Sequence, residues 1–309
     1  MPEKTYDILV AGEINPDLIL TDPHLEPRFG QTEILVQDAA LTPGSSSVIF
    51  ACGAARLGLN VAFIGVAGDD VFGHFMLEAM QSRGVDTSNI VIDPNQKTGF
   101  TIILNRVSDR AMLTHLGAIN ALTATQVSDE LLVQSRHLHL ASYFLQTNLQ
   151  PDVPNLFQRA RNLGLTTSLD TNWDPAETWV GVHELLPLVN VFLPNENEAF
   201  ALMKTDDLEE AAYGLANRSK IVAVKLGASG GLAVMGDSIH RAPAIPVNVV
   251  DTVGAGDTFD AGFIYGFLQG WSLEKSLKLG IACGSLSTQE PGGLEGQPTL
   301  DEALERWNA

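Results

Sequence analysis

The chain is short of several things that would set its class at once. Cysteine occurs twice in 309 residues, as Cys52 and Cys283. Both stand in small, apolar surroundings, which argues against a disulfide framework and for buried free thiols. Basic residues are scarce: 18 Lys and Arg stand against 37 Asp and Glu, a formal net charge of −19. Such a surface repels nucleic acid and anionic membranes, so neither is an expected partner, although a local pocket can oppose the global charge for an anionic substrate. No uninterrupted apolar run reaches bilayer-spanning length, and the first ten residues run into a strand pattern without secretory-signal anatomy. A cytoplasmic, reducing location is the expectation. Internal repeats, low-complexity tracts and long linkers are also missing. What is present, 45% apolar residues, suffices for the core of one large domain or two modest ones.

Short apolar runs alternate with helical spacings. Ile8–Gly12 and Val61–Gly65 read as buried strands, and His137–Ser142, Thr166–Asp170, Val189–Pro194 and Ile221–Leu226 continue the series. Ser45–Leu57 has helical spacing and stops at Gly58; Asp70–Arg83 is a helix capped by Asp69 or Asp70 and ended by Gly84. Gly231–Met235 and Ser238–Arg241 read as a hairpin, followed by helices Thr258–Gln269 and Leu273–Ser287. This rhythm predicts an α/β fold with a mostly parallel sheet covered on both faces. Two β excursions, 17–42 and 98–118, interrupt it. They are expected to pair as one small sheet over a main domain of 1–16, 43–97 and 119–309.

The run Asp251-Thr-Val-Gly-Ala-Gly-Asp-Thr-Phe-Asp-Ala-Gly-Phe263 carries the most chemistry. Gly254, Ala255 and Gly256 can turn sharply and point successive N–H groups into one concavity, and a helix start adds partial positive charge there. Beside them stands one acid, Asp257. Amides that hold an anion next to a carboxylate that accepts a proton are what phosphoryl transfer to a hydroxyl requires. The competing readings are a plain helix cap and a dinucleotide loop, the latter lacking its third glycine.

Other polar residues fall at strand ends, where open parallel sheets gather ligands. Asn15 and Asp17 follow the first strand, Asp170, Asn172 and Asp174 another, and Lys225, Gly227 and Gly230 close a third. Asn195 and Glu198, three apart, suit a water-mediated Mg²⁺ beside a phosphate, or an acidic first helical turn favoured by the dipole. His137 and His139 share a strand face about 6.6 Å apart, without further metal ligands nearby. Gly44-Ser-Ser-Ser47 before a helix can bind hydroxyls or cap the helix.

Together these motifs resemble the ribokinase-like (PfkB) carbohydrate kinases. Asp251–Phe259 is similar to that family's C-terminal signature, and Gly53–Gly58 with Phe63–Gly73 to its N-terminal one. Gly12–Asp17 resembles the sugar-binding entry motif, Asn195–Glu198 the Asn-x-x-Glu motif, and Lys225–Gly230 the nucleotide loop. The resemblance implies a ribokinase-like doubly wound domain with a β-sheet lid, ATP as donor, Mg²⁺ as cofactor, and a sugar hydroxyl as acceptor. It implies Asp257 as catalytic base and an anion hole at Gly254, Ala255 and Gly256. Asn15, Asp17, Gly44 and Ser45 would contact the acceptor. Asn195, Lys225, Gly227 and Gly230 would border the nucleotide, and Glu198 would organise Mg²⁺. It further implies a monovalent cation (K⁺) site at Asp251 and the Val253 carbonyl, and homodimers joined lid to lid. Departures fall on the acceptor side. Ser45 replaces a second glycine and Ile49 a usual Asn, and the missing Lys argues against a phosphorylated acceptor. Asp174 stands where some acid-sugar kinases have Arg, a role that Arg106 or Arg110 on the lid can take over. The expected activity is therefore ATP-dependent phosphorylation of an uncharged monosaccharide. The alternatives are a nucleoside kinase, with Phe100, Tyr143, Phe144 or Trp173 against the base, and a non-catalytic ligand sensor.

Overall fold

The computed structural model describes residues 4–106 and 109–308, so residues 107 and 108 of the second β excursion lie outside it. In chain order the first half comprises β1 (Tyr6–Ala11), β2 (Pro16–Thr21), β3 (Asp38–Pro43), α1 (Ser46–Arg56), β4 (Val61–Ile64), β5 (Val66–Gly68), α2 (Val71–Ser82), β6 (Val91–Asp93), β7 (Phe100–Asn105), β8 (Arg110–His115), α3 (Asp129–Val133) and β9 (Ser135–Leu140). The second comprises α4 (Val153–Asn162), β10 (Thr166–Leu169), α5 (Val182–Leu185), β11 (Val191–Phe192), α6 (Glu196–Met203), α7 (Leu208–Ala216), β12 (Ile221–Lys225), β13 (Gly231–Met235), β14 (Ser238–Ala242), α8 (Ala255–Leu268), α9 (Leu273–Ser287), α10 (Gly292–Glu295) and α11 (Leu300–Asn308).

The main sheet has eight strands in the order β14-β13-β12-β11-β10-β9-β1-β4. From β12 to β4 neighbours are parallel, and the β13–β14 hairpin closes one edge antiparallel. Alternation splits each strand between two cores. On β1, Leu9 and Ala11 face one apolar cluster, while Ile8 and Val10 face the other. Burial on both faces explains why the strands read as unbroken apolar runs. The connection from β1 to β4 and the later passage to β9 leave β1 in opposite directions, so a crevice opens beyond the C-terminal end of β1. On the second face α8 lies tightly against α9. A Cβ on Gly262 would meet Cys283 Sγ at 2.8 Å and the Leu279 carbonyl at 2.9 Å, so glycine is what allows this approach.

The two β excursions pair as expected into a separate sheet, β3-β2-β7-β8, with β2 and β7 parallel. Several details differ from the sequence reading. The pair β5–β6 was not expected, because strands of three residues are too short to show a period. Only Val191–Phe192 of the expected Val189–Pro194 forms a strand. Helix α8 starts at Ala255 rather than Thr258. Its N-cap, Gly254, takes a left-handed φ of 70°, which turns the chain three residues earlier than the apolar spacing indicates.

Candidate active site

That early start places Asp257 inside the first turn of α8. First-turn N–H groups lack intrahelical partners, and Gly254 has no side chain to cap them. The Ala255 N–H reaches the Thr252 carbonyl at 3.3 Å; those of Gly256 and Asp257 remain as donors at the positive end of a 14-residue helix. Asp257 is 9% exposed and stands outside the ion pairs of this region. Burial, and next the nearby Asp170 carboxylate, push its carboxyl up to about 7, against Lys225 and the Ser46 hydroxyl, which favour the anion. A carboxyl poised there is suited to take a proton near neutral pH.

Across the crevice the loop after β1 meets the start of α1. The Gly44 N–H donates to the Asn15 carbonyl at 3.1 Å. A Cβ on Gly44 would sit 2.4 Å from Asp17 Oδ1, so the Asp17 carboxylate lies directly on that glycine. Burial raises Asp17 to about 7, opposed by Arg110. Ser45 caps α1, accepting from the Val48 N–H at 3.1 Å. Beneath it lies Glu13, a residue the sequence reading passed over. Ser45 Oγ is 2.8 Å from its carbonyl and 2.9 Å from Oε1, the Ser47 N–H donates to Oε1 at 3.2 Å, and the Ser47 hydroxyl bonds Oε2. Its signal was a charged residue between Gly12 and Ile14, inside a buried run. The expected acceptor contacts Asn15, Asp17, Gly44 and Ser45 thus converge, with Glu13 as their anchor.

Lys225 departs from the expectation of bordering the nucleotide. Its ammonium turns inward to Asp170 Oδ2 at 2.7 Å and Asp260 Oδ2 at 3.1 Å. Burial opposes its charge, but Asp170, Asp260 and Glu198 outweigh that and hold it protonated. Burial likewise opposes ionisation of Asp170, yet Lys225 and a hydrogen bond from Asp260 keep it below the usual carboxylate range. Asp260 is raised well above that range, first by burial, and donates its proton to Asp170. Carboxylate oxygens of Asp170, Asp257 and Asp260 lie within 4.8 Å of one another, but this cluster already contains a cation, the ammonium itself. The Lys225 stem also packs under the Gly254–Gly256 turn, with Nζ 3.7 Å from where a Gly256 Cβ would be. Among acids on the apolar face of α8, Asp260 was the overlooked one.

The remaining expected residues lie around this centre. Asn195 and Glu198 form a reciprocal capping box: Glu198 accepts from the Asn195 N–H at 2.9 Å and from Nδ2 at 2.6 Å, and returns its own N–H to Asn195 Oδ1 at 3.0 Å. Burial, then Asp170, raises Glu198 to about 7. The structure therefore shows the acidic first helical turn of the two sequence readings, with both Glu198 carboxylate oxygens engaged by Asn195. Asn195 is bridged to Lys225 at the end of β12. Gly227 and Gly230, both at positive φ, shape the turn between β12 and β13. Asp251 ties its own loop together, accepting from the Val253 N–H at 3.0 Å and the Gly292 N–H at 2.9 Å. Asp174 caps the turn that follows it, accepting from the N–H groups of Ala176, Thr178 and Trp179, so it is structural. His137 and His139 share Ser168 as partner, and burial pulls His137 down to about 3; they are neutral core groups. Of the aromatics considered for a base, Trp173 is 46% exposed and Tyr143 is buried. Phe144 packs edge-on between Tyr143 and Trp179, and Phe100 packs against Phe72 and His115.

A doubly wound sheet whose crevice combines a helix start with open N–H groups, a buried carboxyl outside the ion pairs and a glycine-serine turn has the parts of a small-molecule phosphotransferase. The profile of the "pfkB family carbohydrate kinase" matches residues 6–300, and the chain belongs to that family. It is similar to a ribokinase of Lactococcus lactis, 30% identical over 96% of this chain and 95% of the relative. It is also similar to a 2-dehydro-3-deoxygluconokinase of Bacillus subtilis, 30% identical over 88% of each. Among solved structures, a putative ribokinase II from E. coli in complex with ATP and Mg²⁺ superposes with a TM-score of 0.86 at 25% identity, covering 98% of this chain and 99% of the other. No helix among the described residues is long and apolar enough to cross a membrane.

Proposed function

We propose that this protein transfers the γ-phosphoryl group of ATP to a hydroxyl of an uncharged monosaccharide. The observation that carries the reading is Asp257: a buried carboxyl, free of ion pairs, beside the open N–H groups of Gly256 and Asp257. It takes the proton of the attacking hydroxyl while the turn at Gly254, Ala255 and Gly256 holds the charge of the moving phosphoryl group. Asn15, Asp17, Gly44 and Ser45 orient the acceptor. Asn195, Gly227, Gly230 and the main chain of Lys225 border the nucleotide. When bound, Mg²⁺ neutralises phosphate charge, and Glu198 would hold it through water. A monovalent cation such as K⁺ would lie at the Asp251 carboxylate and the Val253 carbonyl, where it would stiffen the anion-binding loop. Free buried Cys52 and Cys283 suit the reducing cytoplasm this reading assumes.

The acceptor side gives a direct test. Gly44→Ala pushes a methyl group into Asp17, so the KM for the sugar rises by about tenfold or more, the loss expected for a hydrogen bond to a charged group, while the KM for ATP stays put. Steady-state kinetics with each substrate varied separately check this. Equal increases in both would argue against the assignment of this turn. A second reading is an acidic sugar, because one cation, Arg110, faces Asp17 and one relative is named for such a substrate. An acceptor screen with D-ribose, D-fructose and 2-dehydro-3-deoxygluconate separates the two.

The small sheet, with residues 17–42 and 98–118, is read as a lid over the acceptor, where it would exclude water and limit ATP hydrolysis. Strand register places Leu18, Leu20, Leu41, Ile102, Leu104 and Leu113 on the face opposite Asp17, and Leu113 is 58% exposed. A second copy covering this face makes a homodimer. Sedimentation should show a dimer that Leu113→Glu converts to monomer; an unchanged dimer would place the contact elsewhere.

A further inference from the structure

Two serines at the crevice hold a positive φ: Ser45 at 68°, just before α1, and Ser142 at 50°, in the loop after β9. Glycine reaches such a conformation freely, whereas other residues keep it only where surrounding bonds impose it. Both serines are bonded to one atom. Their hydroxyls donate to Oε1 of Glu13, at 2.9 Å from Ser45 and 3.0 Å from Ser142. Glu13 is 2% exposed, and no ion pair among the described residues includes it. Serine groups surround its carboxyl instead, Ser47 adding its N–H to Oε1 at 3.2 Å and its hydroxyl to Oε2. The group has little room to shift. A Cβ on Gly12 would sit 2.2 Å from Ser47 Cβ, so the end of β1 lies directly on the first turn of α1.

The Ser45 hydroxyl is spent inside this arrangement. Its one proton is shared between the Glu13 carbonyl, at 2.8 Å, and Oε1, while its oxygen accepts the Val48 N–H at 3.1 Å. What the turn offers a ligand is therefore its main chain, and the φ of Ser45 sets where that main chain points. Asn172, also at positive φ, completes the frame. Its Oδ1 accepts the Ser142 N–H at 2.9 Å, and its Nδ2 donates to Ser46 Oγ at 2.9 Å. The hydrogen bonds thus tie the ends of three adjacent strands, β10, β9 and β1, to the start of α1.

We propose that Glu13 is a positioning residue for the acceptor: a buried carboxyl that, through the hydroxyls of Ser45 and Ser142, holds two strained turns in place and so sets the shape of the sugar pocket. The proposal rests on the reading of the Gly44–Ser45 turn as the acceptor site. It goes beyond that reading in assigning sugar affinity to a residue sealed beneath the turn.

The test is a suppressor experiment on the full-length protein. Glu13→Ala removes the shared oxygen while both serines keep their Cβ, so the turns relax. The KM for D-ribose or 2-dehydro-3-deoxygluconate rises by about 10- to 100-fold, the scale of a binding group displaced by about 1 Å, and the KM for ATP stays within a few fold. Glu13→Gln keeps part of the affinity: its oxygen serves the three donors of Oε1, and its nitrogen faces Ser47 Oγ, a hydroxyl able to turn from donor to acceptor. Adding Ser45→Gly and Ser142→Gly to Glu13→Ala lowers the sugar KM again, since glycine holds a positive φ without a partner. Adding Ser45→Ala and Ser142→Ala does not. A sugar KM that climbs further with the two glycines would make the serine hydroxyls direct sugar contacts and overturn the proposal, as would a rise shared equally by the ATP KM. Where Glu13→Ala does not fold, single substitutions in the wild type repeat the comparison: Ser142→Ala raises the sugar KM and Ser142→Gly raises it less, and the reverse order overturns the proposal. Melting of ligand-free protein needs no turnover. Glu13→Ala with the two glycines melts above Glu13→Ala with the two alanines. Equal Tm values would refute the bracing whatever the acceptor is, whereas a clear difference in a protein that phosphorylates no sugar would count against the acceptor reading alone.

Discussion

Asp257→Asn lowers kcat by about 10²- to 10⁴-fold, the range for loss of a general base, and leaves both KM values within a few fold. Asn fills the same space, so the fold and the acceptor turn are preserved while the proton loses its destination. The wild-type pH profile carries the same information. Asp257 is raised to about 7, so below that pH the base is protonated and idle, and above it the carboxylate is ionised and active. The rate therefore rises with pH through about 7, with a slope of about tenfold per unit on the acid limb. Asp17 and Glu198 are also raised to about 7, so they share that limb. Asp17→Asn keeps the limb in kcat, because Asp257 still titrates. Rate measurements from pH 5.5 to 9 at saturating substrates check both statements, and near-normal turnover in Asp257→Asn would overturn the assignment.

Lys225→Met destabilises the protein by about 3–5 kcal/mol, the cost of stranding a buried charge after removing its partner. Methionine keeps most of the stem volume, so packing under Gly256 changes little. The loss is electrostatic: Asp170 remains ionised and buried, with one of its two strongest donors gone. For a chain of this size each kcal/mol moves Tm by about 2–4 °C, so a shift of roughly 6–20 °C is expected by calorimetry. Asp260→Asn behaves differently. Asp260 is held as the neutral acid, donating to Asp170, and an amide can donate in its place, so Tm moves by only a few degrees. Equal losses from the two substitutions would mean that Asp260 is a second anion in the cluster and that the charge assignment is wrong.

Much of the fold was legible because it is written in local patterns. Apolar runs such as Ile8–Ala11 mark strands buried on both faces, and Gly58 and Gly84 mark helix ends. The glycine turn at Gly254–Gly256 was legible for the same reason, since three consecutive residues and one acid carry it. What the sequence concealed depends on long-range placement. Lys225 reads as a loop cation, and only the meeting of β12 with the loop after β10 and with α8 shows that its charge is spent on Asp170 and Asp260. Glu13 reads as part of an entry motif until α1 brings Ser45 and Ser47 onto it. Ser45 looks like a lost glycine, yet it takes the left-handed conformation that glycine would, fixed by Glu13 and by its cap to Val48. The start of α8 was misplaced because the apolar spacing begins at Phe259, whereas the helix is set by the backbone freedom of Gly254.

Product analysis by ³¹P NMR after incubation with ATP, Mg²⁺ and each sugar of the screen tests the phosphoryl transfer itself. Wild-type protein is expected to form a sugar monophosphate one for one with ADP, and Asp257→Asn at most a trace of it in the same time. ADP accompanied by inorganic phosphate at a rate indifferent to every sugar, or equal product from the two proteins, would overturn the assignment of Asp257 and of the transfer.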